Sequence, residues 1–193
     1  MTTPWKQGQP VTLETERFRL APIRPQDVDE AYVAWWNDEE VQKGLNMPVR
    51  NWGLPEARQH VARFDNRRRF HLGITAKETR ERIGFITLIR EGHGRVQTNS
   101  VIGNKDYWGK KVVLEVRGEV LRFLFEEMGA EKIISTVNAR NLPSIYNYKA
   151  QGFTCEGILR DHAEWIEGGR VDMLNFGLLK SEWEAQQKSG EAS

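Results

Sequence analysis

Two short stretches hold residues whose types and spacing suit chemistry. The first runs Val101-Ile102-Gly103-Asn104, then Tyr107-Trp108-Gly109-Lys110-Lys111-Val112-Val113. A strand pattern enters a loop with a glycine and passes straight into a long helical pattern. The first amides of such a helix have no backbone partner and face the loop. Together with the helix dipole they suit a phosphate or pyrophosphate, and Lys110 and Lys111 add positive charge there. An ordinary strand–loop–helix junction with solvated lysines would read the same way.

The second stretch follows about thirty residues on and contains Asn138, Asn141, Ser144, Tyr146 and Tyr148. Asparagine amides offer donors and an acceptor to an extended amide-bearing ligand. A tyrosine hydroxyl can give its proton to a leaving thiolate. The plain alternative makes Asn138 and Asn141 turn and cap residues and the tyrosines core.

The surrounding patterns supply the elements that must position these residues. A short strand near Val11–Leu13 has a hairpin partner over Arg17–Ile23. A helix is expected from Pro25, with Val28, Ala31, Tyr32, Trp35 and Trp36 at helical spacing. A Pro- and Gly-rich loop precedes a second helix, which begins near Pro55 and ends near Asn66. Three alternating segments follow, the last over Val96–Asn104. Residues Lys110 to Met128 then read as a long helix closed by Gly129. A strand ends at Asn138, a short helix capped by Asn141 ends at Gly152, and two strands join at Glu167–Gly169. This order is α+β with one mixed, mostly antiparallel sheet flanked by helices. The expected division is a flexible tail over 1–10, one domain over 11–183 and a polar tail over 184–193.

Composition narrows the partners. The 193 residues fit one domain, and 28 basic residues nearly balance 27 acidic ones. That balance asks for neither nucleic acid nor membrane, and no apolar run is long enough to span a bilayer. The N-terminus lacks the apolar centre of a signal peptide, so the cytoplasm is the expected compartment. Cys155 is the single cysteine. It permits neither an intrachain disulfide nor a multi-cysteine metal site, and it reads as a small buried hydrophobe. No metal is expected.

Taken together, the two stretches resemble the GNAT superfamily of N-acetyltransferases, in particular the branch typified by the ribosomal-protein N-terminal acetyltransferases. The loop Tyr107 to Val113 and the residues Asn141, Ser144, Tyr148, Gly152 and Phe153 carry the resemblance. It spans residues 11–183. It implies a sheet splayed between strands 4 and 5, the strand holding Gln97 and the one after it. It implies acetyl-coenzyme A as acyl donor. The backbone at Ile102, Gly103 and Asn104, with Asn138, Asn141 and Ser144, would meet the pantetheine or thioester. Trp108, Gly109, Lys110, Lys111, Val112 and Val113 would hold the pyrophosphate. Tyr148 and Ser144 would be the catalytic side chains, with Tyr148 the acid for the thiolate. The implied reaction is direct attack by a primary amine of a peptide N-terminus, amino acid or amino sugar. A homodimer is a family habit.

The chain departs from the family pattern at three places. Lys111 stands where a glycine is usual, Val113 where a small residue is usual, and Gln97 where many relatives carry a glutamate base. These departures leave a second reading, a non-catalytic protein of this fold that binds acyl-coenzyme A or a partner. Glu115, Asp161 and His162 are alternative bases. Trp35, Trp36 and Trp52 would wall the acceptor groove or pack as core. Arg67, Arg68 and Arg69 would steer an anion or cap a solvated helix end.

Overall fold

The computed structural model describes residues 5–190. Eight strands form one sheet in the order β1-β2-β3-β4-β5-β6-β8-β7. They are β1 (Leu13–Glu14), β2 (Phe18–Pro22), β3 (Arg69–Ala76), β4 (Arg82–Glu91), β5 (Arg95–Ile102), β6 (Lys132–Asn138), β7 (Thr154–Glu164) and β8 (Arg170–Leu179). The β5–β6 pair is parallel and its neighbours are antiparallel. The helices are α1 (Glu30–Asn37), α2 (Glu39–Leu45), α3 (Leu54–Val61), α4 (Val112–Arg122), α5 (Leu142–Ala150) and α6 (Lys180–Gly190).

The sheet forks as the resemblance implied. β5 and β6 pair only through Arg95–Lys132, Val96–Ile133 and Gln97–Ile134. Beyond Gln97 each strand keeps its other neighbour and loses this one. A separate apolar core holds each face in place. On one face Val112, Val116, Val120 and Leu121 of α4 pack with Ile133, Tyr148 and Phe176. Their helical spacing lays them on one stripe. On the other face Tyr32, Trp35 and Trp36 of α1 pack with Phe85, Val101 and Val61. Trp35 and Trp36 are buried, so they are core rather than groove wall.

Several boundaries differ from the sequence reading. Pro25–Asp27 is a single 3-10 turn, and α1 begins only after Asp29, whose side chain accepts from Tyr32 N–H. Helix α2 went unread, although Asp38 caps it and Asn46 closes it in the left-handed region. Helix α3 ends at Val61, five residues before Asn66. The long helix starts at Val112, and its last turn widens into a π turn over Phe123–Glu127. Cys155 is exposed, not buried. It lies on β7, an edge strand that presents much of its length to solvent. Trp5 packs edge-on to Phe70, within the stretch read as a tail. Residues 184–190 continue α6, and Trp183 on the same helix packs on Phe125. One apolar anchor on a polar segment is a weak periodic signal, so composition alone suggested a loose end.

Two histidines, the buried His71 and the half-buried His60, sit against the α1–α3 core. His71 lies 3.1 Å from the Tyr32 hydroxyl and stacks between Phe64 and Phe85. Burial lowers the His71 pKa to about 3 and the His60 pKa to about 4. Both are neutral in the fold, while an unfolded histidine titrates near 6.5. Their stabilisation is therefore complete above pH 6.5 and is lost as pH falls towards 4. His71 can contribute up to about 1.4 kcal/mol per pH unit to that slope, and the half-buried His60 less. Urea unfolding between pH 7 and pH 4 should show this loss, and a His60→Phe variant should show a shallower one.

Candidate active site

The fork opens into a cavity of about 760 Å³. One wall is the end of β5 (Ser100, Val101, Ile102), and a second is the start of α4. The third is the loop and first turn of α5, with Asn138, Asn141 and Ser144. The floor at the start of α4 is set by backbone conformation. Gly109 and Lys111 both take positive φ, 73° and 58°. Lys111 is the N-cap of α4, and its carbonyl accepts the first rung from Glu115 N–H. The amides of 112–114 thus precede the hydrogen-bond ladder. They lie on the cavity wall with their dipole end towards it.

Lys111 explains one departure from the family pattern. A left-handed residue is where a glycine belongs, and the lysine retains that geometry at a cost of roughly 1–2 kcal/mol. The loop keeps its shape and its donors while gaining a side chain on the wall.

Ile102, Trp108, Gly109, Lys111, Val112, Val113, Asn138, Asn141 and Ser144 come together around the cavity. Gly103, Asn104 and Lys110 lie off its wall. The Gly103 and Asn104 amides both donate to the Ile83 carbonyl. A Cβ on Gly103 would collide with the Trp35 ring, so packing by itself requires glycine there. The Asn104 side chain caps the turn at Asp106 and donates to Glu81. Lys110 points its ammonium over Tyr107. The Ile102 carbonyl accepts from Trp108 Nε1 at 2.8 Å.

Tyr148 sits behind the cavity, at the apex of the fork. Its hydroxyl donates to the Thr98 carbonyl on β5 at 3.2 Å and lies 2.7 Å from Ser135 Oγ on β6. A second buried group, which the sequence reading passed over, faces it. The Arg117 guanidinium lies 3.9 Å above the Tyr148 ring and is 1% exposed. It donates to Ser100 Oγ and Gln151 Oε1, and its Nε has no partner. No carboxylate pairs with it among the described residues, and burial holds its pKa below the usual value. Within the Val-rich stripe of α4 the arginine reads as an interruption, which was the available signal.

Helix α2 spans the mouth of the cavity. Lys105 pairs with Asp38 at 2.8 Å and with Glu40, and those carboxylates raise its pKa. Lys43 pairs with Glu167 at 2.6 Å. The Asn138 and Asn141 amides both donate to the Gly44 carbonyl, at 3.3 and 2.6 Å. The β7–β8 tip closes the remaining side with Trp165 and Glu167. Glu40 and Glu167 are acids on the wall, and each is tied to a lysine.

The alternative bases lie elsewhere. Glu115 accepts from Thr15 Oγ1 and from Arg17, away from the cavity. Asp161 and His162 are exposed on an irregular part of β7 and are absent from the cavity wall. Arg67 and Arg68 lie just before β3, and Arg69 is its first residue, none of them on the cavity wall. No cluster of three metal-ligating side chains occurs among the described residues. No helix among them is long and apolar enough to cross a membrane.

A parallel pair that forks beside a helix start is the frame of an acyl-thioester-dependent transferase. Residues 17–154 match the family described as Acetyltransferase (GNAT) domain. The chain is 30% identical over 181 residues to an uncharacterized N-acetyltransferase p20 of Bacillus licheniformis, covering 89% of this chain and 98% of that one. A crystal structure of an acetyltransferase from T. thermophilus superposes with a TM-score of 0.76 at 26% identity, covering 97% of this chain and 98% of that one. The spermidine N-acetyltransferase of Vibrio cholerae, solved with CoA and spermine, shares the fold at a TM-score of 0.77 and 16% identity, covering 86% of this chain and 98% of that one. The chain belongs to the GNAT acetyltransferase family. It is accordingly an acyl-coenzyme A-dependent N-acyltransferase.

The strain at Lys111 gives a direct test. Lys111→Gly relieves it but loosens the unfolded chain by roughly 0.5–1 kcal/mol. Chemical denaturation should show stability unchanged or raised by up to about 1 kcal/mol. Lys111→Val places a β-branched residue at positive φ and should destabilise by more than about 1 kcal/mol.

Proposed function

We propose that this chain transfers an acetyl group from acetyl-coenzyme A to the primary amine of a peptide N-terminus, amino acid or amino sugar, by direct attack on the thioester. The observation that carries the reading is the fork itself: a cavity between the α4 amides, the freed end of β5 at Ser100–Ile102, and Asn138, Asn141 and Ser144. The groups on the wall suit the donor. The amides at 112–114 and the Lys111 charge suit its pyrophosphate. Asn138 and Asn141 carry amide donors, now spent on a backbone carbonyl, that suit the amide carbonyls of its pantetheine arm. Ile102 and Ser144 stand on either side of that path.

We assign the acid for the departing thiolate to Tyr148, whose hydroxyl lies behind the wall on the Thr98 carbonyl and would give up that bond to reach the sulfur. Positioning the amine against the thioester supplies much of the remaining rate. The wall carries no free base, since its carboxylates are paired with Lys105 and Lys43. Freeing the lone pair of a lysine-like amine at pH 7 costs about 4–5 kcal/mol, and that of a peptide α-amine only about 1–1.4 kcal/mol. Low-pKa amines are therefore the favoured acceptors.

Saturating acetyl-coenzyme A, at about 100 times its Kd, should raise Tm by roughly 5–10 °C. No shift at millimolar ligand would remove the reading. In an acetyl-transfer assay Tyr148→Phe should lower kcat by about 10²–10⁴-fold with KM little changed. A preference for spermidine over α-amines at pH 7 would overturn the acceptor class.

A further inference from the structure

A second cavity, of about 440 Å³, lies at the opposite end of the sheet from the start of α4. It is bounded by the segment before β3, the β4–β5 turn and the Met128–Ala130 corner. Arg67, Arg68, Arg90 and Arg95 line it, with His93 and the single acid Glu91. Four guanidinium groups face one carboxylate, a local surplus of three positive charges in a chain whose net charge is +1.

Apart from Arg95, the guanidinium groups are not paired with acids among the described residues. Asp65 accepts from the backbone N–H groups of Arg67, Arg68 and Arg69, at 2.8–2.9 Å. Those bonds hold its carboxyl well below the usual range, at about 2. The carboxylate therefore shapes the turn without pairing with a guanidinium. Arg68 Nε donates to the Arg90 carbonyl at 3.2 Å, and Arg90 donates to the Arg67 carbonyl at 3.4 Å. Arg90 also lies 5.8 Å over the Trp5 ring, and Arg95 is the one that pairs with Glu91, at 3.7 Å. The Arg67 guanidinium has no hydrogen-bond or ion-pair partner among the described residues. The turn is fixed by its backbone, and most of its charge is left unneutralised.

We propose that this cavity is a binding site for a small phosphorylated ligand, distinct from the cavity at the fork. Planar guanidinium forks match phosphoryl oxygens in pairs. A concave basin of this size suits a small molecule rather than a polymer backbone. The apolar floor of Val96, Met128 and Ala130 leaves room for a non-polar portion of the ligand.

Pyrophosphate is the probe, followed by calorimetric titration of the full chain in saturating coenzyme A, so that the cavity at the fork is already filled. Wild type should bind it, and the Arg67→Ala/Arg68→Ala double variant should bind at least tenfold more weakly. Lys111→Ala, at the other cavity, should bind as wild type does. The single variant Arg67→Glu alters only an exposed, unpartnered side chain, so it should fold and also lose binding. Four results would overturn the proposal. They are no binding by wild type at millimolar pyrophosphate, retained binding in the arginine variants, loss confined to Lys111→Ala, or equal affinity for citrate.

Discussion

The architecture turns on one hydroxyl. Two parallel strands that stop pairing after three residues expose backbone groups on both inner edges, and such groups are costly to leave unmet in a dry interior. Tyr148 meets part of that demand from α5: its hydroxyl donates to the Thr98 carbonyl on β5 and lies against the Ser135 side chain on β6. Its ring stacks on Phe176 and supports Phe153 edge-on, so the wedge is anchored in the apolar core. Arg117 covers the other face of the ring. A buried guanidinium without a carboxylate is expensive. Here its cost is offset by two side-chain acceptors and the ring face, and it leaves a fixed positive charge one hydrogen bond behind the cavity wall at Ser100.

The cavity is closed by short-range polar contacts rather than by apolar packing. Helix α2 is latched to three separate loops: through Lys105, through Glu167 and through the two asparagines on Gly44. The same seven-residue helix packs Val41 into the α1–α3 core. One short helix thus ties the mouth of the cavity to the α1–α3 core.

The order of elements was legible because it follows from periodicity and punctuation, while the fork and much of the cavity wall were legible only through the family resemblance. Gly109, Asn141 and Gly152 mark real helix ends, and the valine stripe of α4 marks a real core face. Other features were hidden for physical reasons. Gly103 reads as a ligand-facing glycine, yet its reason is the Trp35 ring, a contact across 68 residues that no local pattern carries. Glu115 reads as a free acid near the site, but it is held by Thr15 and Arg17, a hundred residues earlier. Helix α2 has clear cap and stop residues, but seven residues give too few turns for a periodic signal. Lys111 looked like a damaged glycine loop until its φ showed the loop geometry retained.

The two borders of the sheet have a consequence for growth. On one side β1 offers only two residues. On the other, β7 is interrupted by register shifts at Cys155–Gly157 and Leu159–Ala163, and within the second of these Asp161 turns to positive φ. A strand from another chain needs a long, regular row of donors and acceptors to add on, and neither border provides one. Ile158 and Leu159 are exposed on β7, but the backbone beside them is out of step. The outer borders thus resist extension, and the long regular stretch of open backbone lies at the fork inside.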